Sequence, residues 1–154
     1  MKEFSILEAT EDDLPTILDV QKKAFLEVVK KFNLKSLPAL EQSLESLTID
    51  FSKGMILKGV IGNTIVGSVR AYKTNNTCHI ERLVVLPEYQ NRGIGKALMN
   101  EIETMHTNIV RRYELFTGSR DSRNLHFYDH LGYKSYKTEK LNDEVTFVFM
   151  EKSI

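Results

Sequence analysis

The stretch Leu83–Lys96, LVVLPEYQNRGIGK, passes from apolar residues through Pro87 into a loop that carries Gly93 and Gly95 and opens a helical pattern. The first turn of a helix offers unpaired backbone N–H groups and the positive end of the helix dipole, and glycine lets an anion approach those amides closely. The chemistry this spacing suits is the holding of a phosphate by main-chain amides from Gln90, Asn91, Arg92, Gly93, Ile94, Gly95 and Lys96. Two common phosphate loops are excluded. The dinucleotide pattern requires a third Gly or Ala where Leu98 stands, and the P-loop requires Gly at Gln90 and Ser or Thr at Ala97. A reading without chemistry makes Gly93 a turn residue and Gly95 a close-packing one. Two other groupings carry less. His126 and His130 have the i, i+4 spacing of metal ligands, with Asp129 beside them, but Phe127 occupies the position where a zinc-protease motif needs Glu. A solvated helix face explains them. Cys78 and His79 are neighbours on a strand, so they point to opposite faces and cannot act as a nucleophile pair.

The elements that must hold these residues follow from periodicity. Phe4, Ile6 and Leu7 open a short strand, and Glu11, Asp12 and Asp13 before Pro15 mark a helix start in which one acid serves as cap. Leu14, Ile17, Leu18, Ala24, Phe25, Val28, Val29 and Phe32 then recur at helical spacing, with lysines on the other side. After Ser36 and Pro38, the stripe Leu40, Leu44, Leu47 predicts one second, shorter helix. Met55–Ile61 and Thr64–Tyr72, joined by Gly62 and Asn63, read as a hairpin, and Asn75 and Asn76 turn the chain into a third strand, Thr77–Leu86. Along that strand the alternation Cys78, Ile80, then Leu83, Val85 slips near Glu81 and Arg82, as a β-bulge would make it. Ile94, Ala97, Leu98, Ile102 and Met105 form a helical stripe; Tyr113–Thr117 is a strand, Ser122–Leu131 a helix ended by Gly132, and Tyr133–Tyr136 with Val145–Met150 a closing strand pair.

Composition narrows the function classes. With 154 residues the chain fits one domain, residues 1–154, large enough to bury a core unaided. Its 21 basic and 21 acidic residues leave no positive excess to meet phosphates along a nucleic acid, which is therefore not an expected partner. The single Cys78 forbids an internal disulfide, the acidic N-terminus does not read as an export signal, and no apolar run approaches the roughly 20 residues of a membrane span. A cytoplasmic protein without membrane partners is expected.

Placed after a strand that ends in an apolar run and Pro87, Gln90-Asn91-Arg92-Gly93-Ile94-Gly95 resembles the Q/R-x-x-G-x-G/A signature of the GNAT family of N-acetyltransferases. Downstream, Asn124, Tyr128, Gly132 and Tyr133 resemble that family's N-x-x-x-Y-x-x-x-G-F/Y segment. The resemblance covers about Met55–Met150; the N-terminal helices match in type only. It implies an α/β fold, a mixed and mostly antiparallel sheet of six or seven strands with helices on both faces. It also implies acetyl-CoA as co-substrate, with no metal. The bulged strand would splay from its parallel neighbour, the diphosphate would rest on the glycine loop, and the pantetheine would pair with strand backbone at Leu83, Val84 and Val85. On this reading a cofactor-binding core occupies about residues 77–133 and acceptor-side helices about residues 12–48.

Acetyl transfer to an amine has requirements of its own. An amine of pKa about 10.4 is almost wholly protonated at pH 7, so a base must face the cleft, and the departing thiolate benefits from a proton donor. The resemblance places Glu81 at the base position and Tyr128 at the donor position, with Asn124 one turn earlier able to hold the pantetheine. Each has a plain alternative: Glu81 as a strand acid paired with Arg70, Tyr128 as a core residue, Asn124 as a polar residue at a helix start. The expected acceptor is a primary amine, of a small molecule in preference to a protein. Polyamine, aminoglycoside and peptide amines all stay open, as does a CoA-binding sensor without turnover. Monomer and homodimer both stay open.

Overall fold

The computed structural model describes residues 3–154. A seven-stranded sheet runs through it in the order β1-β2-β3-β4-β5-β7-β6. Its strands are β1 (Ser5–Glu8), β2 (Met55–Ile61), β3 (Thr64–Thr74), β4 (Thr77–Val85), β5 (Arg112–Gly118), β6 (Lys134–Lys140) and β7 (Thr146–Ser153). The helices are α1 (Leu14–Phe32), α2 (Pro38–Glu41), α3 (Leu44–Lys53), α4 (Ile94–His106) and α5 (Ser122–His130). Neighbouring strands are antiparallel except β4 and β5, which run parallel. The implied α/β architecture is thus present, with seven strands.

Helices cover both faces. Leu14 and Ile17 of α1 and Leu47 of α3 bury themselves against Ile56 on one side. Ile94, Leu98, Met99 and Ile102 of α4 form the larger core on the other, with Val66, Val69, Cys78, Ile80 and Tyr113 from the strands and Tyr128 from α5. Glu103 ties α4 to the sheet's far half: its carboxylate accepts from Tyr133 Oη and Lys152 Nζ, both at 2.8 Å, and its carbonyl from Tyr113 Oη at 2.8 Å.

Two local expectations need correction. The stripe Leu40, Leu44, Leu47 is split between α2 and α3, because Gln42 turns extended and the Ser43 side chain caps a fresh start by accepting from Ser46 N–H at 3.1 Å. The acid before α1 does not cap it: Asp13 Oδ2 accepts from the Thr10 amide at 2.9 Å and from Lys58 Nζ at 2.8 Å, fastening the entry of α1 to β2.

The expected bulge is in β4. Arg70 pairs with Glu81 and Ser68 with Val84, so Val69 alone faces Arg82 and Leu83. Arg82 absorbs the extra residue at φ +55°, a left-handed conformation unusual for a residue with a side chain. The slip restores the facing of the strand: Cys78 and Ile80 before it, and Leu83 and Val85 after it, all pack in the α4 core.

Candidate active site

β4 and β5 pair at only three positions, Thr77 with Arg112, Cys78 with Tyr113 and His79 with Glu114. Beyond them the strands part, and the sides of β4 and β5 that face each other have no strand partner. A cavity of about 120 Å³ lies in this opening, between Ile80–Leu83 of β4 and Leu115–Gly118 of β5. Phe25, Val28 and Phe32 of α1 roof it, and Asn124 and Tyr128 of α5 close its inner end. The parting follows from the bulge, since an added residue on one strand raises local twist and breaks the ladder.

The glycine loop follows the end of β4 and leads into α4. Gly93 takes φ +86° at the N-cap of α4, where no side chain caps the helix. The first helical bond is Ala97 N–H to Gly93 O at 3.0 Å, so the amides of Ile94, Gly95 and Lys96 have no partner within the helix. At Gly95 a Cβ would meet only Phe127 at 3.7 Å and Val85 at 3.9 Å, ordinary contacts. Close packing therefore does not account for Gly95, and the bare backbone there leaves room over free amides. Three side chains of the loop are engaged in bracing it. Gln90 Nε2 donates to Val85 O at 3.1 Å, Asn91 Oδ1 accepts from Arg123 at 2.8 Å, and Arg92 pairs with Glu3 and lies over the Tyr89 ring.

Of the residues singled out from the sequence, Glu81, Leu83, Asn124 and Tyr128 line the cavity, while Val84, Val85 and residues 90–96 do not. Glu81 sits opposite Arg70 in the ladder, yet Arg70 gives its ion pair to Asp50 of α3, at 3.1 Å, and hydrogen bonds to Gln21 and Gln42, each at 3.2 Å. Among the described residues no ion pair joins Glu81 to Arg70. Burial, and then the nearby Arg82 charge, pull the Arg70 guanidinium down to about 10, with Asp50 and Glu81 acting in the opposite sense. The strand-acid alternative for Glu81 thus loses its partner.

Tyr128 is 7% exposed and packs edge-on to Phe127 and Tyr133, with ring centroids 5.2 and 6.1 Å away. Among the described residues its hydroxyl has no hydrogen-bond partner. Burial, helped by the Asp121 carboxylate, holds its pKa well above the ordinary phenol value, so it carries its proton throughout the neutral range. Asn124 donates through Nδ2 to Thr117 Oγ1 at 3.3 Å, and its amide is capped by Asp121 at 3.0 Å. It spans the gap between α5 and β5 at the cavity's end.

Sequence reasoning passed over Arg82, which also lines the cavity, and Phe32, Phe116 and Arg120. The alternation slip marked the place of Arg82. Its significance lies in an unpartnered Nε, which no pattern of residue types reveals.

Comparison with known proteins agrees with this geometry. The chain is 25% identical over 149 residues to the uncharacterised protein YyaT of Bacillus subtilis, covering 94% of this chain and 92% of that one. Its fold matches the PaiA N-acetyltransferase of Thermoplasma acidophilum, solved in complex with coenzyme A, at a TM-score of 0.81 with 22% identity over 98% of this chain and 99% of that one. It likewise matches the ribosomal-protein-S18-alanine N-acetyltransferase of Escherichia coli, at 0.80 with 14% identity over 98% and 94%. The family model for the acetyltransferase (GNAT) domain matches residues 19–154, reaching back into α1 beyond the Met55 where the motif resemblance begins, and the chain belongs to that family of acetyltransferases.

Proposed function

We propose that the protein transfers the acetyl group of acetyl-CoA to a primary amine by direct attack while both substrates are bound. The observation that carries this reading is the parting of β4 from β5 after His79 and Glu114, which opens a cavity with a carboxylate, Glu81, on one wall and a protonated phenol, Tyr128, on another. Acetyl-CoA enters as a co-substrate, as the coenzyme A in the Thermoplasma structure suggests. The free amides of residues 94–96 and the open backbone at Gly95 suit its diphosphate. The unpaired edge of β4 from residue 80 onward suits an extended pantetheine, with the strand near Val85 supplying an N–H to the thioester carbonyl.

Glu81 accepts the ammonium proton, directly or through one water, so that a neutral amine attacks. Tyr128 gives its proton to the departing sulfur as the C–S bond breaks, and the second proton lost by nitrogen as the amide forms restores the phenol. The core from about residue 77 to 133 serves acetyl-CoA, and α1 and α2, within residues 12–48, shape the acceptor side through Phe25, Phe32 and Pro38. An acceptor screen tests the reading: a panel of amino acids, polyamines, aminoglycosides and N-terminal peptides is offered with acetyl-CoA, and both free CoA and N-acetyl product are measured. The expected result is equal amounts of the two for at least one amine. Tight acetyl-CoA binding without product from any member would make the protein a sensor instead.

A further inference from the structure

Building on the reading of Glu81 as the residue that meets the amine, we infer that the acceptor is a zwitterion of the α-amino acid class with an apolar side chain, its carboxylate held by Arg82. In a regular strand, residues 81 and 82 would point to opposite faces. The bulge removes that constraint: with Arg82 at φ +55°, both side chains line the same cavity. A negative group and a positive group one residue apart on one wall match an ammonium and a carboxylate separated by one carbon.

Arg82 has the capacity to spare. Its Nε is buried without a hydrogen-bond partner, and among the described residues its guanidinium enters no ion pair. Arg70, whose Nε is likewise unpartnered, differs in that its terminal nitrogens are engaged by Asp50, Gln21 and Gln42. A buried guanidinium donor left unmade is costly, and its planar fork suits a carboxylate. The other charged residues on the cavity wall have contacts of their own. Asp121 caps α5, Glu144 accepts from the Lys35 amide at 3.1 Å, and Arg120 lies over the Phe32 ring. Phe25, Phe116 and Phe147 supply an apolar surface for the side chain. A polyamine would set a second cation against Arg82 where an amino acid sets a carboxylate.

The experiment compares L-phenylalanine with 2-phenylethylamine, which lacks only the carboxylate, on the wild-type protein and on Arg82→Gln and Arg82→Lys. The readout is the ratio of kcat/KM for the two acceptors, in which differences in amine basicity cancel between proteins. The wild type should prefer L-phenylalanine, and Arg82→Gln should cut that preference about 10²-fold, chiefly through the KM of the amino acid. Arg82→Lys, which keeps the charge but not the fork, should restore part of it. Retained acetyl-CoA affinity, measured by calorimetry, reports that each variant is folded. An unchanged ratio in Arg82→Gln, or wild-type preference for 2-phenylethylamine or spermidine, overturns the inference and leaves acetyl transfer standing. Acetylation of no amine by a protein that binds acetyl-CoA overturns both.

Discussion

Tyr128 is a buried ring that lines the cavity and whose hydroxyl has no hydrogen-bond partner among the described residues, and on the proposed reading it holds a proton for the leaving sulfur. Replacing it by phenylalanine preserves the ring contacts with Phe127 and Tyr133 and removes only the hydroxyl. Tyr128→Phe should therefore keep thermal stability and acetyl-CoA affinity while kcat falls about 10²-fold, as seen in single-turnover kinetics; a wild-type rate with chemistry limiting would make Tyr128 a packing residue. The raised pKa also fixes a sign. Because the folded phenol binds its proton more tightly than the unfolded one, ordinarily near 10, neither its donor capacity nor its share of stability declines until the pH passes about 10. Glu81→Gln should lower turnover about 10²-fold near neutrality and recover in part at high pH, where free amine is abundant; a pH–rate profile superimposable on wild type would leave Glu81 a structural acid. At this scale the resemblance singled out Glu81 and Tyr128 as proton carriers, and both line the cavity. Arg82 was not, because what distinguishes it is a positive φ and an absent partner, and Arg70 finds Asp50 from a helix twenty residues earlier in the chain.

The glycine loop and α4 act together as an element. A carboxylate at position 95 would stand over the free amides of the first turn, while its Cβ would make only ordinary contacts with Phe127 and Val85. Gly95→Asp should thus abolish acetyl-CoA binding in calorimetric titration, with an unfolding midpoint close to wild type; unchanged affinity would move the diphosphate elsewhere. Periodicity located nearly every helix and strand, including the bulge, because the helices bury one apolar stripe and β4 keeps an alternation that slips where the extra residue stands. It failed where tertiary contacts decide. The break between α2 and α3 depends on Gln42, which donates to Asp50 at 2.8 Å and accepts from Gln21 at 2.9 Å, and no local spacing encodes that meeting of three elements. Asp13 likewise answers to Lys58, 45 residues away, rather than to the helix beside it.

For the molecule as a whole, the sheet is weakest at the one parallel junction, where β4 and β5 pair at three positions, and the proposed acetyl-CoA site falls in the same place. Cys78 lies at that junction, paired with Tyr113, with 0% exposure. Burial first, and then the Glu103 carboxylate, push its thiol up to about 12 from an ordinary 9.0. The folded state therefore favours the neutral thiol, and the stability this burial contributes is intact below about pH 9 and lost as the pH rises toward 12. A thiol so placed, in the core beneath α4, reacts only when that core opens, which makes the rate of its chemical labelling a clock for local opening of the fold. Acetyl-CoA held between the two strands should slow that clock in proportion to occupancy, about 100-fold at a concentration 100 times its Kd when opening releases the ligand. Labelling at one rate with and without acetyl-CoA would mean that the core opens without disturbing the bound molecule. The single cysteine thus offers a timer beside the candidate site, readable without knowing which amine the enzyme serves.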